Sequence, residues 1–327
     1  MPESIEKPLA CWKGSDRYGD RILDTLTIIF RTGGCEWNRC RMCSYRHERY
    51  YDRSPGELQG LVRRQMQWVN ENHSLDGIDM IKIFTSGSFF DPKEVDPETR
   101  EYIGKMLAGK IVVVETRPEY IQEPALSGFI RSIDTGQWKT PLYVAVGLET
   151  TDDAIREKSI NKGFSTEDFW NAADTAREAG VGIKAYLLMK PLFLTEDEAL
   201  IDMENSIADI YRRVDMISMN PCTVQKNTEL ERYWKQGAYR PPYLWSVLSV
   251  LLSSPVHILC DPVGGGHQRG PHNCRKCDRD IVSAIREYSL SADTKILQEA
   301  MDTTCECKKE WEFVLQHEMP YSMPLTR

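Results

Sequence analysis

The chain has 327 residues, enough for about two average domains and for a core that needs no disulfide staples. Its 41 Lys and Arg against 49 Asp and Glu leave a net charge of −8, which excludes a wholesale cationic nucleic-acid coat but not a local basic patch. The composition, 41% hydrophobic and 28% charged, excludes a disordered chain, and no apolar run approaches the ~20 residues of a membrane span. The first twenty residues, MPESIEKPLACWKGSDRYGD, are polar and carry no secretory signal, so the chain is expected in the cytoplasm.

Residues 1–24 read as an N-terminal extension. From there, β-branched or apolar runs alternate with amphipathic stretches, and no repeat or low-complexity tract interrupts them. The predicted strands are TLTIIFRT (25–32), MIKIFTSG (80–87), KIVVVETR (110–117), PLYVAVGLET (141–150), GIKAYLLMK (182–190) and DMISMNPC (215–222), with VHILCD (256–261) following late. Between them, Ser54-Pro55-Gly56-Glu57, Asp96-Pro97, Ser165 to Asp168 and Thr195 to Glu198 carry helix-start chemistry. Six β-α units imply a parallel sheet with right-handed crossovers, its strands buried on both faces. A doubly wound sheet and a barrel both satisfy that pattern. Polar residues favour the barrel, because Arg31, Thr32, Ser86, Ser88, Glu115, Arg117, Glu149, Lys190 and Asn220 all stand at the C-terminal ends of successive strands. In a barrel those ends form one rim, where chemistry is assembled. The expected organisation is an α/β partial (β/α)6 TIM-type barrel over 25–255, followed by a small Cys-rich metal-binding module over 256–327.

Ten cysteines in a chain without a secretory signal read as metal ligands or catalytic thiols. Cys11 and Cys222 stand alone and read as small buried hydrophobes. The others form two clusters. In Gly33-Gly34-Cys35-Glu-Trp-Asn-Arg-Cys40-Arg-Met-Cys43-Ser-Tyr45, just after the first predicted strand, three thiolates can hold three irons of a [4Fe–4S] cube and leave the fourth open. On spacing alone a zinc knuckle, completed by His47, is the alternative.

Three further stretches accompany that loop. They are Thr85-Ser86-Gly87-Ser88, then Val114-Glu115-Thr116-Arg117-Pro118-Glu119, and Gly147-Leu148-Glu149-Thr150 with Asp152, Asp153 and Asn161-Lys162-Gly163. With the three-cysteine loop they resemble the radical S-adenosylmethionine (SAM) superfamily, in particular its elongator-type tRNA-acting members. The usual C-x3-C-x2-C spacing here has one extra residue in its first gap, and the strand-end turn lacks the usual double glycine and acid. The resemblance implies a [4Fe–4S] cluster on Cys35, Cys40 and Cys43, with SAM on the open iron. It implies SAM contacts from Met42 and Tyr45 on the loop and from Ser86, Gly87 and Ser88 on the turn. Arg117 is the candidate for the SAM carboxylate, since its fork binds one bidentately. Glu115 and Glu149 are candidates for ribose hydroxyls or a cationic part of the substrate, a structural salt bridge being their other reading. One electron then cleaves SAM to methionine and a 5′-deoxyadenosyl radical, while the protein orients the substrate and excludes water.

The second cluster is Cys260, Cys274, Cys277, Cys305 and Cys307. A C-x2-C pair with a distant second pair suits tetrahedral zinc on Cys274, Cys277, Cys305 and Cys307, with Cys260 or His272 as substitutes and a second iron–sulfur cluster as the rival. Gly264-Gly265-Gly266 is a weak phosphate-approach signal. Arg269, Arg275, Lys276 and Arg279 make this module locally basic, which suits either RNA or a solvated surface.

Long strings, among them GCEWNRCRMCSY, FTSGSFFD, LMKPLFLTE and RGPHNCRKCD, resemble the archaeosine synthase radical-SAM subunit (RaSEA) family over nearly the whole chain. That resemblance implies an archaeal tRNA-modifying lyase. It acts after ArcS has joined lysine through its side-chain amine to a 7-cyano-7-deazaguanine base in the D-loop. Radical cleavage of the lysine C–N bond then leaves the archaeosine amidine. Implied partners are ArcS, the modified tRNA and an electron donor such as ferredoxin or flavodoxin. Glu115, Glu149 and Lys190 are the catalytic candidates, with Arg31 a further candidate for holding the lysine arm. Methylthio transfer would want three more cysteines N-terminal to Cys35, where only Cys11 stands, and acyl transfer a further domain. A zinc-bearing RNA-binding scaffold is the non-enzymatic alternative.

Overall fold

A computed structural model of the chain describes residues 6–320 and 323–326. In chain order the elements are β1 (Ala10–Tyr18), β2 (Arg21–Ile29), α1 (Pro55–Asn72), β3 (Met80–Phe84), α2 (Pro97–Met106), β4 (Ile111–Glu115), α3 (Glu123–Ile133), β5 (Leu142–Glu149), α4 (Asp153–Ile155), α5 (Thr166–Glu178), β6 (Gly182–Met189), α6 (Glu196–Ile210), β7 (Met216–Pro221), α7 (Glu229–Lys235), α8 (Leu244–Ser253), β8 (Leu259–Cys260), α9 (Asp278–Ser291), α10 (Thr294–Met301) and α11 (Glu306–His317).

The strands join one eight-stranded sheet in strict chain order, β1 to β8. A doubly wound sheet reverses its order at a switch point. No reversal occurs here, so the α/β class is that of a partial barrel, as expected. Pairing is parallel from β2 through β5 and between β7 and β8. The exception is β1, which runs antiparallel to β2 through a two-residue Gly19-Asp20 turn. Gly19 there takes φ +57°, a conformation that costs an L side chain strain. Strand β1 and its turn lie within the predicted N-terminal extension. The β1 sequence, ACWKGSDRY, lacks a sustained apolar alternation because the whole strand is exposed or half-buried.

The helix starts follow their local chemistry. Ser54 and Thr195 each form a reciprocal capping box, with Glu57 and Glu198. The Asp96 carboxylate accepts from Thr99 N at 2.7 Å. Each such cap contributes about 1 kcal/mol.

Contacts divide the chain into two compact units, one of Met1–Asn38, Tyr45–Gly147 and Glu167–Lys184, the other of Arg39–Ser44, Leu148–Thr166 and Ala185–Arg327. The first buries Phe30, Val62, Met66, Ile83 and Val114 completely. Phe89, Phe90 and Phe129 meet edge to face beneath the strand ends. At the start of β6, Gly182 lets the Tyr143 ring lie against the backbone, since a Cβ there would stand 2.1 Å from the ring. The second unit packs α6 against α8 and α11. Its interior holds an ion pair, Lys190 Nζ to Glu196 Oε2 at 2.6 Å. Tyr243 N and Ser246 Oγ donate to the other Glu196 oxygen at 2.8 and 2.5 Å, so neither charge is buried without partners.

Candidate functional site

In the first unit, the loop after β2 is fixed against the turn after β3. Cys35 N donates to the Ser86 carbonyl at 3.2 Å, and a Cβ on Gly87 would stand 2.5 Å from Cys35 Cα. Only glycine permits this approach of two backbones. Beneath the turn lies Glu94, 1% exposed. It accepts from Ser88 N at 2.6 Å and is hydrogen-bonded to the Thr32 hydroxyl. Burial outweighs those bonds and raises its carboxyl to about 8. Glu94 thus ties the end of β2 to the turn. The sequence reading did not single it out.

The other predicted contacts of this unit are engaged with one another. Ser86 Oγ accepts from Thr32 N at 3.5 Å, and Ser88 Oγ from Arg117 N at 3.2 Å. The Arg117 guanidinium donates to Glu119 at 2.5 Å and stands 5.6 Å from the Trp37 ring centroid. Glu115 ends β4 half-buried, its carbonyl accepting from Phe89 N at 3.0 Å. Tyr45 is exposed in a single 3-10 turn that also includes His47.

Cys40 and Cys43 belong to the second unit, where Cys43 N donates to the Cys40 carbonyl at 3.3 Å. Their segment is fastened along its length. Arg41 N donates to the Ile160 carbonyl at 2.9 Å, Arg41 Nη1 pairs with Glu229 at 2.7 Å, and Ser44 N and Oγ donate to Gln225. Met42 packs on a core of Leu192, Cys222, Val224, Leu230 and Tyr239. Glu149 and Lys190 both take left-handed backbone at the ends of β5 and β6, φ +69° and +58°. Positive φ in residues other than glycine gathers at functional sites. Their side chains are paired, Glu149 with Lys162 at 2.5 Å and Lys190 with the buried Glu196. Burial alone would raise Glu196, yet Lys190 and Arg240 hold it below the usual carboxylate range.

The C-terminal cysteines converge. The sulfurs of Cys274, Cys277, Cys305 and Cys307 lie within 4.8 Å of one another. Four of the separations are 3.9 Å (274 to 277), 3.5 Å (274 to 305), 3.6 Å (277 to 307) and 3.4 Å (305 to 307). Four thiolates at ~2.3 Å from one tetrahedral zinc stand about 3.8 Å apart, so the set has the dimensions of a mononuclear site. A [4Fe–4S] cube puts each thiolate on a different iron and spreads them much farther.

Donors already face the sulfurs, with Trp245 Nε1 3.3 Å from Cys307 Sγ and Asn273 Nδ2 3.5 Å from Cys277 Sγ. Burial acts to raise Cys274, but backbone N–H groups of Lys276 and Cys277 outweigh it and bring the thiol down to about 7. Burial pushes Cys277 up to about 12. The knuckle turns at Arg275, φ +70°, and Asp278 closes it by accepting from Asn273 N and Arg275 N at 2.8 and 2.7 Å.

The proposed substitutes lie outside this set. Cys260 is buried in β8, and His272 Nδ1 is 2.8 Å from the Gly270 carbonyl. Cys222 is buried, its thiol pushed up to about 12, whereas Cys11 is half-buried. The glycine run serves packing: a Cβ on Gly265 would stand 2.6 Å from Val282. Arg269 is held by Glu231 at 2.7 Å and the Val224 carbonyl at 2.9 Å.

No protein-family model matches the chain. It is 39% identical to the archaeosine synthase subunit beta of Methanosarcina acetivorans, covering 99% of this chain and 94% of the relative. The subunit beta of Thermococcus kodakarensis is 34% identical, over 94% and 96%. The chain belongs to the archaeosine synthase subunit beta family. Among solved structures, it is similar to a queuine lyase from Clostridium spiroforme bound to SAM and queuine, at 19% identity and TM-score 0.46, covering 68% and 86%. The family assignment rests on the sequence relatives.

Proposed function

We propose that this chain is the radical-SAM subunit of an archaeosine synthase, cleaving the C–N bond of a lysine-modified 7-deazaguanine in the tRNA D-loop. The observation that carries the reading is the 39% and 34% identity, over nearly the full length, with two archaeosine synthase beta subunits. Cys35, Cys40 and Cys43 would hold a [4Fe–4S] cluster, and the Gly87 backbone beside Cys35 leaves a cradle that any larger residue would fill. With SAM bound, that cluster supplies one-electron chemistry for removing hydrogen from the lysine carbon beside the bridging nitrogen.

The chain's own residues hold and shield. Ser86, Gly87 and Ser88 offer backbone to SAM, with Met42 and Tyr45 on the loop, and Arg117 takes its carboxylate. Glu115 and Glu149 bind hydroxyls or the lysine ammonium. Lys190 keeps the end of β6 in its left-handed turn through Glu196 and so positions the reacting edge. Loss of a second electron back to the cluster and attack of water at that carbon would break the C–N bond, leaving the nitrogen on the base as the amidine and the lysine carbon chain as an aldehyde. The C-terminal thiolates hold a structural zinc that fixes the start of α11 against the knuckle. An ArcS-type transferase supplies the substrate, and a ferredoxin or flavodoxin the electron.

Anaerobic reconstitution tests this directly. Mössbauer and metal analysis should find four irons per chain that are lost in Cys35→Ala, together with one zinc that is lost in Cys305→Ser. Zinc in both places would return the chain to the RNA-binding scaffold.

A further inference from the structure

Between Arg31 and Arg64 the sequence carries eight arginines, no lysine and four acids, in a chain whose net charge is −8. Three of the eight, Arg41, Arg63 and Arg64, form ion pairs with Glu229, with Glu98 and Asp96, and with Glu6. Another three, Arg46, Arg49 and Arg53, lie in Tyr45–Arg53, which joins the cysteine loop to α1 and belongs wholly to the first unit.

The stretch interleaves arginine with tyrosine and is built against the site. Tyr50 N donates to the Thr32 carbonyl at 2.8 Å. The Arg49 stem lies on Gly34, where a Cβ would stand 2.7 Å from Arg49 Cδ, one residue before Cys35. From there the guanidinium reaches over the Tyr51 ring, 4.8 Å from its centroid. Arg49 Nε is buried and has no hydrogen-bond partner among the described residues. Tyr51 Oη donates to the Arg46 carbonyl at 2.9 Å, which holds the ring in place while leaving it 53% exposed. Arg31 covers Tyr50 at 5.6 Å, and Arg53 and Arg64 are near enough to act on the same phenol. The opposing acids are few. Glu57 is held by its cap on Ser54, Glu6 stands 3.7 Å from Arg64, and Glu48 and Asp52 are exposed.

We propose that Tyr45–Arg53 is the RNA-binding rim of the site, with Arg49 and Arg53 on phosphates of the tRNA and the open face of Tyr51 stacked on an unpaired base. Arginine forks suit phosphate, and a tyrosine backed by a guanidinium is a stacking platform for single-stranded bases. The rim touches the residue before Cys35, so RNA held there offers a neighbouring base to the cluster loop. This rests on the reading above that the substrate is a tRNA.

The test is tRNA binding by the complex of this chain with its partner subunit, measured across a salt series. Arg49→Gln with Arg53→Gln should weaken binding about tenfold and flatten the dependence of log K on log salt by about 1–2, the signature of lost phosphate contacts. Tyr51→Ala should weaken binding about tenfold with the slope unchanged. Arg53→Gln alone, at an exposed position, guards against misfolding and should flatten the slope by about half as much. Wild-type affinity and slope in these variants would overturn the inference. Loss of partner association with tRNA contact intact would overturn it too, marking the rim as a protein-docking surface. A wild-type complex that neither binds tRNA nor forms 5′-deoxyadenosine would sink the underlying functional reading instead.

Discussion

At the scale of single residues, Glu94 and Lys190 are buried ionisable groups whose partners shape the ends of β2 and β6. Glu94 is buried among Thr32, Thr85 and Ser88, and its carboxyl is raised to about 8 from an ordinary value near 4.5. A raised folded-state value contributes stability that is fully present below pH 4.5 and is lost as pH rises through 8. Unfolding at pH 5, 7 and 9 should therefore show stability declining across that window. In Glu94→Gln the same series should be flatter, while Glu94→Ala should cost on the order of 1–3 kcal/mol at pH 5, a cost that shrinks as pH rises through 8. Lys190→Met should cost about 3–5 kcal/mol by stranding Glu196, and the double variant with Glu196→Gln should recover most of it. A Lys190 that acted only on substrate would lose turnover without this coupling.

At the scale of elements, the parts with local signatures were legible and the parts made by tertiary contact were not. Capping chemistry located the starts of α1, α2 and α6, because a cap is decided within four residues. Thr195→Ala should accordingly lower stability by about 1 kcal/mol, read from denaturant unfolding. Strand β1 escaped because its exposed face leaves no alternating pattern, although Gly19-Asp20 is a two-residue hairpin turn. Strand β2 begins at Arg21, four residues before the apolar run suggests, for the same reason. The four C-terminal thiolates were legible from spacing alone. The groups that orient them, Asn273, Asp278 and Trp245, were not, since Trp245 lies 62 residues from Cys307. Glu94 was hidden likewise, 62 residues from Thr32. Cys274→Ala should release the metal and cost about 3 kcal/mol, or about 6–12 °C in thermal midpoint. Calorimetry with parallel zinc analysis checks both.

For the molecule as a whole, charge and organisation point the same way. A chain of net charge −8 gains little from general attraction to a polyanion, so its RNA contact has to be local. We expect tight association with the lysine-transferring partner and weak tRNA binding by this subunit alone. Gel-shift titration of the isolated chain and of the complex checks this, and a strong, salt-sensitive complex of the isolated chain would refute it. No helix among the described residues is long and apolar enough to cross a membrane. The most direct measurement of the central claim is reductant-dependent formation of 5′-deoxyadenosine by the reconstituted protein, with lysine-modified and with unmodified tRNA. The account predicts formation coupled to loss of the lysine carbon chain from modified tRNA only, abolished by alanine at Cys35, Cys40 or Cys43. Turnover that is indifferent to the modification, or that survives those substitutions, would contradict it.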